Sequence, residues 1–377
     1  MTLTAPQTVN MDPQALAAVE TLFHSQLADR LHPGAALAVY RHGKLVLDLF
    51  GGLADRETGK PVDRGTMFIL YSSTKPLAAA CLHILWERGR FQWDDPVAAH
   101  WPGFARNGKE GVTIRHILTH QAGFPETPWS LTWNKWQDWD FIVQTMENIV
   151  PEYAPGEVMA YHPRNFGWII GELVRRIDGR PFNHFLHDEI TAPLGMNDAY
   201  VGLPSELEPR VSRVHAMEDC DRPVSIPAYN EPAVHQAVHP AGGGITTARD
   251  LARFYAMLCN NGELDGVRIL APETVAEVTA LQVEGLDLSL GQRKARSLGL
   301  VIDDPRMGVG ASEDDSEGYS PSGDCPTFGH GGQATSVGWA DPCLGLAVAY
   351  ITNGARSEDT NVPRLAQVSK AIREACR

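Results

Sequence analysis

The sequence predicts an α/β (α+β) fold in which one sheet is formed by both ends of the chain. Strand-like patterns occur near both termini, whereas the middle of the chain carries helical patterns separated by Pro- and Gly-rich joints. No repeat of 20–50 residues is present, which argues against a solenoid or a propeller. We therefore expect a discontinuous sheet domain (1–100 and 241–377) with an inserted, mostly helical domain (101–240).

The individual elements follow from periodicity and turn residues. In the first half, a helical pattern at 13–31 precedes two β-rich runs joined by a turn that contains Gly43, and an Ala- and Leu-rich helix ends at Gly89. In the second half, three consecutive glycines lead into a helix, and further strands precede a closing helix. The predicted strands are 35–40, 45–50, 298–302, 336–340 and 344–352, and the predicted helices are 13–31, 72–88, 114–119, 136–148, 165–178, 250–258 and 362–375.

Composition excludes several classes of protein. The 377 residues include 46 acidic and 32 basic side chains, so the formal net charge is −14. Nucleic-acid binding depends on clustered Lys and Arg, so we expect no nucleic-acid partner. With 43% hydrophobic and 21% charged residues, a chain of this length can bury a large core without disulfides or a structural metal.

The sequence favours a cytoplasmic location. The N-terminus lacks the basic region and apolar core of a secretory signal, and no apolar run reaches the roughly 18–20 residues needed to span a bilayer, so no membrane association is expected. The six cysteines are scattered without a C-x-x-C pair. We expect reduced thiols.

Most catalytic motifs are missing. The chain has no G-x-S-x-G elbow, no H-E-x-x-H and no P-loop. Two H-x-x-x-H pairs, His116/His120 and His235/His239, have the spacing of metal ligands, but neither has a convincing acidic third ligand. Structural histidines explain these pairs better, so we predict no metal and no cofactor.

One nucleophile motif stands out. Ser72-Ser73-Thr74-Lys75 is the chain's one S-x-x-K, and it opens the predicted helix 72–88. A helix start favours an oxyanion at Ser72, and Lys75 projects from the same face one turn later. If burial lowers its pKa, Lys75 can accept the serine proton. The alternative is a helix-capping serine beside a solvated lysine.

An ordered set of landmarks accompanies this motif. They are Pro33-Gly34 before the first hairpin, Tyr71–Lys75, Ile117–Gly123, Pro155-Gly156 ahead of Tyr161, Ala241–Gly244 and Phe328–Gly332. In this order the chain resembles the serine β-lactamase-like and penicillin-binding-protein-like superfamily, and within it the family VIII carboxylesterases, over about residues 15–375. The resemblance implies a β-lactamase/transpeptidase-like fold with an antiparallel sheet, an active site at the interface of the two domains and Ser72 as the nucleophile.

The resemblance assigns two further elements. Tyr161-His162-Pro163 occupies the place of Y-x-N or Y-x-S, which makes Tyr161 the general base together with Lys75; Pro163 departs from the motif, and Asn165 is two positions further on. His330-Gly331-Gly332 occupies the place of K-T-G on the sheet edge, where it would bind substrate. The backbone amides of Ser72 and Gln333 would then form the oxyanion hole. A core phenol at Tyr161 and a turn residue at His330 are the structural alternatives.

Four tryptophans between 129 and 139 have helical spacing. Trp129, Trp133, Trp136 and Trp139 would share one face of a helix, either packed into the helical domain or forming an apolar wall for the substrate. We expect Trp129 and Trp133 to contribute to substrate binding.

Together these features predict a serine carboxylesterase that hydrolyses small neutral esters through an acyl-enzyme on Ser72. His330 in place of a lysine weakens the binding of anionic substrates, which favours esters. The alternatives are a β-lactamase, a D-amino-acid peptidase or an acyltransferase with the same acyl-enzyme chemistry, and, in another class, a catalytically silent binding protein. The oligomeric state is not predicted.

Overall fold

The computed structural model describes residues 2–309 and 325–376. The strands include all those that the sequence predicts, together with short strands that it does not. They are β1 (Gly34–Arg41), β2 (Lys44–Asp55), β3 (Lys60–Pro61), β4 (Phe68–Ile69), β5 (Ala199–Val201), β6 (His215–Ala216), β7 (Gly244–Thr246), β8 (Glu263–Leu264), β9 (Val267–Arg268), β10 (Val283–Asp287), β11 (Gln292–Arg296), β12 (Val301–Ile302), β13 (Phe328–Gly332), β14 (Ser336–Asp341), β15 (Leu346–Thr352) and β16 (Gly354–Ala355).

The seven predicted helices are present with shifts of a few residues at their ends, and the structure adds short helices. The helices are α1 (Pro13–Ala28), α2 (Lys75–Glu87), α3 (Val97–His100), α4 (Ile114–Leu118), α5 (Trp139–Asn148), α6 (Asn165–Asp178), α7 (Phe182–Leu186), α8 (Pro232–Gln236), α9 (Ala248–Cys259), α10 (Pro272–Thr279) and α11 (Glu358–Glu374). The sequence does not predict the short helices α3, α7, α8 and α10. Side-chain caps explain several starts: Asp12 accepts the amide of Gln14 at α1, and Thr247 accepts the amide of Asp250 at α9.

Both ends of the chain build the main sheet. Within the described residues, nine strands run in the order β10-β11-β12-β13-β14-β15-β1-β2-β3, and all neighbours are antiparallel. The N-terminal strand β1 pairs with β15, with Ala38 opposite Ala349. The C-terminal strands therefore extend the N-terminal hairpin into one sheet, as the sequence predicts.

Both faces of this sheet are covered. Alternate residues of β1 point to opposite sides, because successive strand side chains alternate. Leu37 and Val39 belong to the core formed with α1 and α11, whereas Ala38 and Tyr40 belong to the larger core that includes α2 and α9. Each fully buried Val, Leu or Phe in these layers stabilises the fold by about 1.5–3 kcal/mol.

A smaller sheet joins the nucleophile segment to the middle of the chain. Among the described residues, β7 pairs with β4 on one side and β5 on the other, so residues 68–69, 199–201 and 244–246 meet. Helix α2 packs against α6 from the middle segment. The division into two domains remains a prediction, but these contacts bring the three segments with candidate site residues together.

The expectation of reduced cysteines is wrong for one pair. Cys325 and Cys343 form a disulfide with Cα atoms 5.6 Å apart, linking the residues before β13 to the turn between β14 and β15. Their separation of 18 residues gave no local signal, because the pairing follows from strand register. The thiols of Cys81, Cys220, Cys259 and Cys376 are free.

The helices of the described residues include none that is both long and apolar enough to cross a membrane. The cytoplasmic location remains a prediction.

We expect acid to destabilise the fold through buried neutral histidines. The imidazole of His83 on α2 is buried and lies 2.9 Å from the Leu298 carbonyl oxygen, and burial lowers its pKa to about 4. Below pH about 6.5 the unfolded chain binds a proton that folded His83 rejects until about pH 4. The free energy of unfolding should therefore decrease as the pH is lowered through this window, by about 1.4 kcal/mol per pH unit for this residue.

Denaturant unfolding between pH 4.5 and 7.5 tests this prediction. His83→Gln should flatten the pH dependence, whereas His24→Gln, at an exposed position on α1, should leave it unchanged. Equal slopes for wild type and His83→Gln would contradict the assignment.

Candidate active site

The candidate nucleophile lies in a tight turn rather than in the α-helix itself. Residues Tyr71–Thr74 form a 3₁₀ turn, and α2 begins at Lys75, so the predicted helix start at Ser72 is wrong by three residues. Tyr71 has a φ of 48°, a conformation that L-residues other than Asn and Asp rarely adopt. The turn offers the Ser72 hydroxyl to the side chain of Lys75.

Lys75 is completely buried and has three polar neighbours. Its Nζ lies 3.1 Å from Ser72 Oγ, 2.8 Å from the carbonyl oxygen of Pro163 and 3.1 Å from that of Ala241. Burial, reinforced by the positive charges of Arg296 and Arg164, holds the pKa of Lys75 well below its usual range. Loss of the proton is favoured because the amine has no carboxylate partner among these neighbours.

This environment suits a neutral amine. A neutral lysine has two N–H donors and one lone pair. With one N–H directed at the Pro163 carbonyl and the other at the Ala241 carbonyl, the lone pair faces Ser72 Oγ. Lys75 can then accept the serine proton.

Tyr161 completes the cluster from the opposite side of Ser72. Its hydroxyl lies 2.6 Å from Ser72 Oγ, and Lys75 Nζ lies 4.8 Å from the centroid of its ring. Burial raises the pKa of Tyr161 to about 12, against the opposing effects of the hydrogen bond to Ser72 and the charges of Arg296 and Arg306. The phenol is therefore protonated at neutral pH and donates to Ser72 Oγ.

Two residues to which the sequence analysis gave no role in the reaction hold the Tyr161 segment. The Tyr161 amide donates to Asp287 Oδ1 at 3.0 Å, and the next amide, of His162, donates to His120 Nδ1 at 3.1 Å. The His120 ring also lies 4.7 Å from the Tyr161 ring. His120 belongs to the Ile117–Gly123 landmark, which was the available signal. Asp287 had none, because it lies 126 residues away along the chain.

The third predicted element packs directly on the nucleophile turn. A Cβ on Gly332 would come within 2.0 Å of the Leu70 carbonyl oxygen, so the end of β13 touches the residue that precedes the turn. Ser73 Oγ donates to the His330 carbonyl at 3.0 Å, and Ser336 Oγ donates to that of Leu70 at 3.1 Å. These contacts place Gln333 beside the Ser72 turn, and an oxyanion hole formed by their amides remains a prediction.

The strand register explains how an inner strand can border the site. The family layout suggested a sheet edge, but β13 lies between β12 and β14. In the described part of the chain, β12 pairs only with Phe328 and Gly329, whereas β14 pairs with the whole of β13. Among the described residues, the backbone of 330–332 therefore has no strand partner on the β12 side.

His330 is buried and neutral. Its Nδ1 lies 2.7 Å from the Gly331 carbonyl oxygen and therefore carries the proton, and Nε2 has no partner among the described residues. Burial and the neighbouring Lys75 hold the pKa of His330 well below its usual range. The ring thus offers a hydrogen-bond acceptor, Nε2, and no positive charge.

Comparison with known proteins identifies the family. The family profile described as beta-lactamase matches residues 19–371. The chain belongs to the beta-lactamase family. It is 31% identical to the esterase/beta-lactamase LipL of Mycobacterium tuberculosis, over 91% of this chain and 82% of the relative.

Solved structures show the same fold over nearly the whole chain. A penicillin-binding protein homologue from Caulobacter crescentus has a TM-score of 0.84 and 31% identity, covering 97% of this chain and 98% of the other. A family VIII carboxylesterase also has a TM-score of 0.84, with 28% identity and 99% coverage of both chains. The β-lactamase-like fold predicted from the sequence is confirmed, and the esterase-named relatives support a hydrolase.

Where the chain departs from the Y-x-N or Y-x-S pattern, Pro163 contributes a backbone contact to the cluster. Pro163 lacks a polar side chain, but its carbonyl accepts a hydrogen bond from Lys75. Asn165 does not replace the missing amide, because its Nδ2 donates to the carbonyls of Phe124 and Glu126.

The predicted tryptophan helix is wrong. Trp129 lies outside any helix and is 92% exposed, Trp133 begins a 3₁₀ turn and is 43% exposed, and Trp139 begins α5. Trp136 is buried and stacks on His239 with the ring centroids 4.6 Å apart. No contact in the described residues joins Trp129 or Trp133 to Ser72, so their role in substrate binding remains a prediction.

The aromatic group that reaches the nucleophile turn is a different one. Tyr229 lies 5.8 Å from Trp136 and 4.6 Å from Tyr71, measured between ring centroids. Periodicity along 129–139 could not reveal this group, because Tyr71 and Tyr229 are distant in sequence.

The described residues contain no group of three or more His, Cys, Asp or Glu side chains arranged to hold a metal ion.

Gly332 gives a direct test of the packing between β13 and the Ser72 turn. In Gly332→Ala the new methyl group would meet the Leu70 carbonyl oxygen, which is backbone and cannot rotate away. We expect a loss of about 1–3 kcal/mol in the free energy of unfolding. We also expect labelling of Ser72 by a fluorophosphonate probe to slow at least about tenfold, which is 1.4 kcal/mol in the barrier.

Gly111→Ala is the matched control, because a Cβ there meets no atom within 4 Å. Wild-type stability and labelling in Gly332→Ala would show that the contact is not needed.

Proposed function

We propose that the protein is a serine carboxylesterase that hydrolyses small neutral esters through an acyl-enzyme on Ser72. One observation carries this proposal: Ser72 Oγ lies 3.1 Å from the buried amine of Lys75 and 2.6 Å from the phenol of Tyr161. One group can take the serine proton and the other can supply a proton, both at hydrogen-bond distance.

In the acylation step, Ser72 Oγ attacks the carbonyl carbon of the ester while its proton moves to Lys75 Nζ. The tetrahedral intermediate carries a negative charge on the former carbonyl oxygen. The amides of Ser72 and Gln333 would donate to that oxygen; loss of one such donor typically costs about 3 kcal/mol of transition-state stabilisation. Collapse of the intermediate breaks the bond between the carbonyl carbon and the alcohol oxygen.

The leaving alcohol needs a proton, and Tyr161 is placed to give it. A phenol with a pKa of about 12 is protonated at neutral pH. Protonated Lys75, with its Nζ 4.8 Å from the Tyr161 ring centroid, would return the proton to the phenolate through a bridging water. This division makes Lys75 the base and Tyr161 the acid, whereas the resemblance assigned the base role to Tyr161. In deacylation the roles reverse around an attacking water, and the carboxylic acid is released.

The charges near β13 favour neutral substrates. His330 is neutral where the family pattern has a lysine. The Arg306 guanidinium lies against Gly331, but within the described part of the chain its two hydrogen bonds, at 2.7 and 2.8 Å, go to the Asp304 carboxylate. Neither residue therefore provides an uncompensated cation for a substrate carboxylate. The unbranched Gly331 and Gly332 would allow a substrate to approach the strand backbone closely.

Substitution of the nucleophile tests the reaction. Ser72→Ala should lower hydrolysis of p-nitrophenyl acetate and butyrate by at least about 10⁴-fold, because it removes the proposed nucleophile. Wild type should be labelled by a fluorophosphonate at Ser72, and the variant should not. Ester hydrolysis that survives in Ser72→Ala would remove this site from the reaction.

Ser369→Ala serves as the control for Ser72→Ala and should keep its activity, because the Ser369 hydroxyl bonds to Trp339 and Arg306 and not to Ser72.

The same assay separates the substrate classes. Nitrocefin turnover equal to ester turnover in wild type would favour the β-lactamase alternative.

The pH dependence should report on Lys75. Because burial and two arginines lower its pKa, Lys75 is unprotonated above that pKa and protonated below it. On the acid side kcat/KM should therefore decrease as the pH is lowered, by about tenfold per pH unit below the pKa of Lys75. Lys75→Arg should lose at least about 10²-fold in kcat/KM at every pH, because a guanidinium does not deprotonate. An unchanged acid limb in an active Lys75→Arg variant would exclude Lys75 as the base.

A further inference from the structure

A buried ion pair on an unpredicted hairpin contacts the Tyr161 segment. Asp287 ends β10 and Arg296 ends β11, and these two strands pair as a hairpin at one end of the main sheet. The two side chains are almost fully buried, and Arg296 Nη2 lies 2.6 Å from Asp287 Oδ2. Burial of an ion pair is costly unless further interactions compensate for the lost water.

The carboxylate fixes the backbone of Tyr161. Asp287 Oδ1 accepts the amides of Tyr161 at 3.0 Å, Ser289 at 3.1 Å and Leu290 at 3.2 Å. A second hydrogen bond, from the Leu288 amide to the Met159 carbonyl at 3.0 Å, joins the same two segments. The hairpin therefore fixes the position of the Tyr161 backbone.

The guanidinium faces the ring and adds charge. Arg296 Cζ lies 5.4 Å from the centroid of the Tyr161 ring, within the range of a cation–π contact. Arg296 also exerts the largest charge effect on Lys75 and on the Tyr161 phenol, and it lowers the pKa of both. A positive charge at this position disfavours a second one on Lys75.

We propose that Asp287 and Arg296 are positioning residues that hold the Tyr161 phenol against Ser72 and supply a fixed positive charge beside the Ser72–Lys75–Tyr161 cluster. Neither side chain is within hydrogen-bond distance of Ser72 Oγ, so both act through Tyr161 and Lys75. The proposal rests on the proposed function of these residues. It also accounts for a buried pair at a position where apolar residues would stabilise the fold as well.

Charged and titratable groups surround this pair on each of the elements that pack against it. Arg164 contributes positive charge from the residue before α6, and Arg306 does so from the turn after β12, whereas Lys75 on α2 is the titrating group itself. The Asp304 carboxylate accepts Arg306 and Lys294. His120, His162 and His330 face the cluster, and burial lowers the pKa of each. Lys75 is therefore the group whose titration Arg296 should influence most.

The test is the acid limb of kcat/KM for p-nitrophenyl butyrate, together with the pH dependence of Ser72 labelling by a fluorophosphonate. Arg296→Gln removes the charge while Asp287 keeps its three amide donors, so the acid limb should move to higher pH by about one unit. Most of the lost activity should appear in kcat rather than KM. Arg296→Lys retains the charge and should restore the wild-type limb.

A matched control is Glu172→Gln on α6. Glu172 is also a buried carboxylate that binds arginine, at Arg175 and Arg176, but it makes no hydrogen bond to the cluster within the described residues. This variant should lose stability without a shift of the acid limb. The double variant Asp287→Asn/Arg296→Gln buries no unpaired charge and should shift the limb upward by less than Arg296→Gln alone. If Arg296→Gln does not fold, the double variant is compared with wild type.

The outcomes distinguish the two proposals. An acid limb that stays at the wild-type pH in a folded Arg296→Gln variant, or that moves equally in Arg296→Lys, would overturn the positioning role. A wild-type protein that is not labelled at Ser72 would instead refute the proposed function.

Discussion

The burial of Lys75 is the constraint on which the arrangement of the site depends. Its amine is removed from water and held by the carbonyls of Pro163 and Ala241 and by the hydroxyl of Ser72. These groups come from three separate segments of the chain, so the hydrogen bonds form only when the nucleophile turn, the Tyr161 segment and the glycine-rich turn all meet. A buried amine without a carboxylate favours its neutral form. The burial that brings these three segments together therefore also lowers the pKa of Lys75.

Around this amine, positive charge is present but compensated. Arg296 is paired with Asp287, and Arg306 is paired with Asp304. Arg296 lowers the pKa of both Lys75 and His330, and Arg306 lowers the pKa of His330. The net charge of −14 says nothing about this local field, because the potential at a buried site depends on the nearest charges and their burial. The charges that control the chemistry of the site are therefore not those that set the net charge of the molecule.

The main sheet was predictable and its role in the site was less so. Residues 35–50 and 336–352 alternate or run apolar over strand lengths, and the structure pairs them near the predicted ends. Strands β10 and β11 escaped prediction because sequences such as Gln292–Arg296 are polar and resemble loops. Their pairing depends on the register of the whole sheet. The Cys325–Cys343 disulfide and the contact of Asp287 with Tyr161 arise in the same way.

The sequence alone supplied the candidate groups: Ser72 and Lys75 form the chain's one S-x-x-K, and the resemblance to a known family added Tyr161. It also determined the fold, because six landmarks in a fixed order are specific to one family. Tertiary structure alone decided which groups surround them. It separated the tryptophans, brought the Pro163 carbonyl to Lys75, and placed an ion pair beside Tyr161. The hydrogen bond between Tyr161 and Asp287 joins residues 126 positions apart, and a local pattern cannot encode such contacts because they are fixed only when the layers pack.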